Sequence, residues 1–168
     1  MRPALLTSAT LALTLLSAQP ALADDNPVAL AQAYINAYEA QDFDAMRDFM
    51  ADEMVFIDPT SFDLVHVSEA ANWSGPDATI AGISAWNIHS GAYRIERIYE
   101  AAGRVIFDGA FDAHMATPDG VRTFRYPIVT IITVEDGQVV EHRDYTGLND
   151  VSEVTATSED LEAPAGTP

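Results

Sequence analysis

The feature that most constrains this chain is a run of strand-like sequence over residues 93–150, broken only by turn signals. The clearest of these is Glu135-Asp136-Gly137, which separates the apolar segment 126–134 from residues 138–150. An Asp-Gly pair flanked by alternating apolar residues is the strongest short-range hairpin signal. Ala102-Gly103 and Pro118-Asp119-Gly120 divide the remainder, so strands are expected over 93–100, 104–115, 122–134 and 138–150. Four long strands joined by such short turns form an antiparallel meander. In the last strand, alternation puts Val140, His142, Asp144 and Thr146 on one face, and Glu141, Arg143 and Tyr145 on the other. A carboxylate and an imidazole thus share a face that should be apolar and half-buried.

The residues ahead of the meander read mostly as helices. Asn26 suits an N-cap and Pro27 a first helical turn. Leu30, Tyr34 and Tyr38 then recur at helical spacing with Ala31 and Ile35 beside them, which predicts a helix to about Ala40. Asp42 can cap a second, short helix carrying Phe43, Met46, Phe49 and Met50 inward. A strand is expected over 53–58, with Met54, Phe56 and Asp58 on one face, and Pro59 ends it because proline cannot donate to the ladder. Residues 60–75 are irregular but too apolar for a solvated loop. They form either a lid over a pocket or an extra edge strand centred on 64–67. Pro76-Asp77 opens a third helix with Ile80, Ile83 and Trp86 at three-to-four spacing, ended by Ser90-Gly91. Helices grouped apart from an antiparallel sheet define an α+β fold. The sheet is expected to curve around the first helix as a cone, whose open end is a natural ligand pocket.

Charge and composition narrow the partners. The chain of 168 residues has 26 acidic residues against 8 basic ones, all arginine, for a net charge of -18. That balance argues against nucleic acid and anionic membrane surfaces. Cysteine is absent, so stability must come from packing. Arg2, an apolar run over 4–16 and Ala21-Leu22-Ala23 read as a cleavable signal peptide over residues 1–23, too short for a membrane span. The expected address is periplasmic or secreted. One domain is expected over 24–150, followed by a disordered acidic tail over 151–168. His66, His89, His114 and His142 are scattered without metal-ligand spacing, and no glycine-rich phosphate loop is present, so neither a metal nor another cofactor is expected.

Four phrases carry a family resemblance: Tyr34-Ile35-Asn36-Ala37-Tyr38, residues 49–58, Gly75-Pro76-Asp77-Ala78, and the hairpin 134–145. In their order and spacing the chain resembles SnoaL-like members of the nuclear transport factor 2 superfamily, over about residues 27–150. That superfamily includes polyketide cyclases, ketosteroid isomerases and limonene epoxide hydrolases. The resemblance implies a cystatin-like cone with a pocket for a small hydrophobic molecule. The epoxide hydrolases use two aspartates bridged by an arginine, with a tyrosine and an asparagine holding the water. Asp144 falls on one aspartate position, and aligning the loops at Pro118 brings Asp112 onto the other. Ala110 stands where the bridging arginine would be, and Phe56 and Asp58 stand at the tyrosine and asparagine positions.

On that alignment Ala110, Asp112 and His114 face the pocket, together with Phe124, Tyr126, Ile128 and Thr130 from the next strand. The expected catalytic set is Asp144 as base with Asp112 or His114 as partner, since two carboxylates in an apolar site divide into acid and base. The expected ligand-binding set is Phe56, Asp58, Trp86, Phe124, Tyr126, Ile128 and His142. The function expected is a cofactor-free isomerase, cyclase or hydrolase acting on a small hydrophobic molecule. The alternative is a non-catalytic ligand-binding or interaction module, with Asp112 and Asp144 at the rim or salt-linked to Arg125 or Arg143. A homodimer is expected through the outer sheet face, where Val129, Ile131, Val139 and Tyr145 need cover.

Overall fold

The computed structural model describes residues 26–62 and 70–156. Two capped helices come first: α1 (Pro27–Glu39) and α2 (Phe43–Phe49). The Asn26 side chain accepts hydrogen bonds from the Val28 and Ala29 N–H groups at 3.1 and 3.4 Å, and Asp42 accepts from Ala45 N–H at 3.1 Å. Each satisfies a donor that the first helical turn leaves open. The α1 stripe buries Ala31, Tyr34, Ile35 and Tyr38.

After β1 (Met50–Ile57) and a one-turn helix (Pro59–Ser61) come the short β2 (Asn72–Ser74) and α3 (Pro76–Ala85). The meander is β3 (Ile88–Ala101), β4 (Arg104–Thr117), β5 (Gly120–Glu135) and β6 (Gln138–Thr146), and β7 (Ser152–Val154) follows. The strands form one mixed sheet in the order β2-β1-β6-β5-β4-β3. β1 pairs parallel with β6, placing Phe56 opposite His142, while β2 pairs antiparallel with β1. The sheet is curved and unclosed, and α1 lies against β3, β4 and β5. Tyr34, Phe56, Phe107 and Ile132 are among the buried side chains between helix and sheet.

Several expectations change. β3 starts at Ile88, so Ser90 and Gly91 lie in a strand; α3 ends instead at Ala85 with Trp86 as its C-cap, and Asn87 turns the chain with a φ of 56°. On β6, Val140 is an inserted residue, because Thr133 pairs with Glu141 but Val134 pairs with Val139. Such a bulge shifts which residues face inward. Val139, expected outside, is therefore fully buried, and it replaces Val140 as the core neighbour of His142. The tail was expected to be disordered from residue 151, yet Ser152–Val154 pairs with β5 at Thr123, Phe124 and Arg125, beyond the stretch of β5 that β6 covers. The signal peptide over 1–23 and the edge strand over 64–67 lie outside the described residues. No helix among the described residues is long and apolar enough to cross a membrane.

Candidate functional site

Alternation along β4 decides what the site contains. Val105, Phe107, Phe111 and Ala113 are buried on the face toward α1, with Gly109 and Met115 in line. Asp108, Ala110, Asp112 and His114 belong to the opposite face. The cone encloses a cavity of about 240 Å³, into which Phe111, Ala113 and Met115 project from β4. Tyr126 and Ile128 of β5 complete that wall, and Tyr38 of α1, Trp86 and Ile88 close it from the helical side. Its polar groups come from Asp58 and Ser61 after β1, and from Asp144 and Thr146 on β6.

Asp144 anchors a chain of buried polar groups. Thr130 Oγ1 donates to Asp144 Oδ1 at 2.5 Å and lies 3.0 Å from the Tyr93 hydroxyl. His142 Nε2 reaches the same Oδ1 at 3.1 Å, and its Nδ1 lies 3.0 Å from the Tyr34 hydroxyl. Thr130 and His142 are fully buried and Asp144 is 3% exposed. Both hydrogen bonds thus land on one oxygen. Among the described residues none reaches Asp144 Oδ2, and none is made by the hydroxyl of Tyr38, a residue that lines the same cavity. Burial pushes the Tyr34, Tyr38 and Tyr93 hydroxyls well above the usual tyrosine range, and the nearby Asp144 carboxylate adds to the shift. All three therefore remain hydrogen-bond donors through the physiological range.

Asp58 is held differently. Its Oδ1 accepts from the Thr60 N–H at 2.9 Å and from the Thr60 hydroxyl, and its Oδ2 accepts from Thr146 Oγ1 at 2.7 Å. Ser61 Oγ donates to the Asp58 carbonyl at 2.6 Å and accepts from Ala71 N–H at 3.0 Å, joining the end of β1 to the residue before β2.

Asp112 and His114, expected in the site, are not in it. Asp112 is clamped on the outer face: Arg125 Nε and a terminal nitrogen donate to its two oxygens at 2.6 and 2.7 Å, and Arg94 Nε donates at 2.8 Å. Burial favours its neutral form, but the hydrogen bonds and charges of Arg125 and Arg94 outweigh that and hold its carboxyl below the usual range. His114 Nδ1 lies 2.8 Å from Thr123 Oγ1, its cross-strand partner on that face. The physical reason is β4 itself, whose apolar residues occupy the odd positions. Anchoring the strand on Pro118 slipped its pairing by one residue, and a one-residue slip turns every side chain over. The two-aspartate arrangement of the epoxide hydrolases is therefore not assembled here.

Of the remaining expected residues, Asp58, Trp86, Tyr126, Ile128 and Asp144 line the cavity. Phe56 and His142 lie behind its wall, with ring centroids 4.3 Å apart. Phe124 is off the cavity, its ring 5.1 Å from the Arg122 guanidinium. The apolar lining not anticipated is Ala71, Ile88, Phe111, Ala113, Met115 and Leu148, and the polar site residues not anticipated include Tyr34, Tyr38, Ser61 and Thr146. Tyr34 and Tyr38 carried a readable signal, since two tyrosines four apart on a buried helical stripe bring two hydroxyls inward.

The fold and cavity define an α+β cone of the nuclear transport factor 2-like class. The chain belongs to the SnoaL-like domain family, whose profile matches residues 31–142. No curated protein sequence matches it. Among solved structures it is similar to a protein assigned as a SnoaL-like polyketide cyclase from Shewanella putrefaciens. That pair shares 19% identity over 73% of this chain and 90% of the other, with a TM-score of 0.63. It is likewise similar to a Δ5-3-ketosteroid isomerase from Mycobacterium sp., at 19% identity, 76% and 98% coverage and a TM-score of 0.63. An LEH-like epoxide hydrolase from M. tuberculosis shares 18% identity over 74% and 84% of the two chains, with a TM-score of 0.56. At these identities the likeness is one of fold.

Proposed function

We propose that the protein takes a small, largely apolar carbonyl compound into the cavity and that Asp144 acts on it as a general base. The observation that carries this reading is that Asp144 and Tyr38 line one apolar cavity, with Asp144 Oδ2 and the Tyr38 hydroxyl both left without a hydrogen bond from a described residue. A carbonyl oxygen can accept from Tyr38 while a proton on the adjacent carbon moves to Asp144 Oδ2. The charge then develops on the oxygen, where a fixed donor held in an apolar wall stabilises it. Return of the proton to another carbon completes an isomerisation, and attack of the carbanion on a second carbonyl closes a ring. Thr130 and His142, both on Oδ1, orient the base. The fold relatives described as an isomerase and a cyclase support this class of chemistry.

A non-catalytic binding module is the second reading, and a specific observation favours it: Asp112 is salt-linked to Arg125 outside the cavity, and the cavity's second carboxylate, Asp58, is held on both oxygens by Thr60 and Thr146. Deuterium exchange separates the two. Small ketones in deuterated buffer are expected to exchange the protons next to the carbonyl faster with the protein than without it. Asp144→Asn should abolish the acceleration, and general-base contributions of roughly 100- to 10,000-fold set its scale. Full exchange by Asp144→Asn removes Asp144 as the base, and no acceleration by the intact protein leaves the binding reading.

A further inference from the structure

Buried carboxylates are treated in two ways in this protein. Asp112, 1% exposed on the outer face, lies between two guanidinium groups. Asp58 and Asp144, 7% and 3% exposed at the cavity, face no arginine among the described residues. Asp58 is met by the Thr60 N–H and the Thr60 and Thr146 hydroxyls, and Asp144 by Thr130 and His142 on Oδ1. None of the described side chains lining the cavity is basic. His142 lies behind the wall and serves Oδ1 alone. Burying a carboxylate is costly unless a charge or a full set of donors offsets it. The outer face meets that cost with arginine; at the cavity, the described residues meet it for Asp58 with hydroxyl and backbone donors alone, and leave Asp144 Oδ2 without one.

The cavity walls supply the complementary half. Tyr38, Trp86, Phe111 and Tyr126 line it, and aromatic rings attract cations through their quadrupole, most strongly where water is excluded. The tyrosine hydroxyls that face Asp144 and Asp58 are neutral, and a net charge of -18 raises the local concentration of cations around the protein. A cavity of about 240 Å³ suits a compact molecule.

We propose that the cavity is built for a small organic cation, an amine or quaternary ammonium compound whose apolar body fills it and whose charge offsets Asp58 and Asp144. This rests on the ligand-binding reading of the cavity and narrows its substrate class. It is compatible with the base role of Asp144, because a positive group near a carbonyl makes the adjacent C–H more acidic.

Calorimetric titration with a matched pair tests it: choline, and 3,3-dimethylbutan-1-ol, which has the same shape without the charge. Choline is expected to bind at least about tenfold more tightly, a preference that Asp144→Asn removes and added salt weakens. Asp112→Asn, on the outer face, should keep the preference, and Asp58→Asn should reduce it where the variant folds. Equal or tighter binding of the neutral alcohol overturns the cation proposal but leaves an apolar site intact. Binding of neither compound also overturns it, while ketone exchange in deuterated buffer reports separately on the base.

Discussion

The Tyr34 hydroxyl lies 3.0 Å from His142 Nδ1, joining the first helix to the last long strand through the middle of the core. Because His142 Nε2 faces a carboxylate oxygen, that nitrogen carries the hydrogen and Nδ1 accepts from Tyr34. Tyr34→Phe leaves a buried acceptor without its donor. The expected loss is about 1–3 kcal/mol of unfolding free energy in urea, with an unchanged denaturant slope.

Asp112 makes the opposite kind of prediction, structural without a change at the cavity. Asp112→Ala removes the carboxylate that Arg94 and Arg125 share and should cost about 1–3 kcal/mol, less than a fully buried pair because the arginines are 40% and 41% exposed. Its folded-state carboxyl is held below the usual value, so its contribution is present above that value and is lost as pH falls through the depressed one. Acid titration of stability should show a shallower loss below about pH 4 in Asp112→Asn than in the parent.

Glu39 runs the other way. Its carboxylate accepts from the Tyr93 N–H, yet burial raises its carboxyl above the usual value despite that bond and the nearby Arg94. The protonated form is favoured on folding, so this contribution is present at acid pH and is lost as pH rises through the folded value. Glu39→Gln should raise the thermal midpoint at pH 7, with the difference closing near pH 4. A parent protein of equal or higher midpoint at pH 7 would refute the argument.

At Gly91 the neighbouring strand comes too close for a side chain. A Cβ there would sit 2.2 Å from the Phe111 ring, which walls the cavity. Gly91→Ala must push that ring toward the ligand space or strain the strand. A loss of about 1–3 kcal/mol and weaker binding of cavity ligands are expected together, measurable by melting and by the same calorimetric titration.

Much of this architecture was legible because local signals agreed. Asn26, Asp42 and Asp136-Gly137 each fix a helix start or a turn through their own backbone chemistry, and the structure follows them. The inward face of β4 was legible as well: Val105, Phe107, Phe111, Ala113 and Met115 alternate with Asp108, Ala110, Asp112 and His114. Fixing that strand from its loop rather than its own pattern placed Asp112 and His114 on the wrong side. The bulge at Val140 and the pairing of Ser152–Val154 with β5 depend on partners distant in sequence, which alternation along a single strand does not encode. The cavity-facing hydroxyl of Tyr38 needed both the helical stripe and the depth of the cone around it.

The parallel pairing of β1 with β6 has a consequence for the order in which the molecule assembles. Apart from the short β2, where Trp73 lies opposite Phe56, β1 meets the sheet only through β6, with Phe56 opposite His142, so it cannot join the meander until nearly the whole domain is available. The hairpins of the meander close over short loops and can form early, whereas the α1–β1 segment must wait and then dock across a long loop, at a greater entropic cost. Until it docks, the face carrying Phe107, Ile132 and His142 lacks its cover. Folding should therefore be limited by capture of the N-terminal third on a preformed meander, on the millisecond-to-second scale of topologies rich in distant contacts.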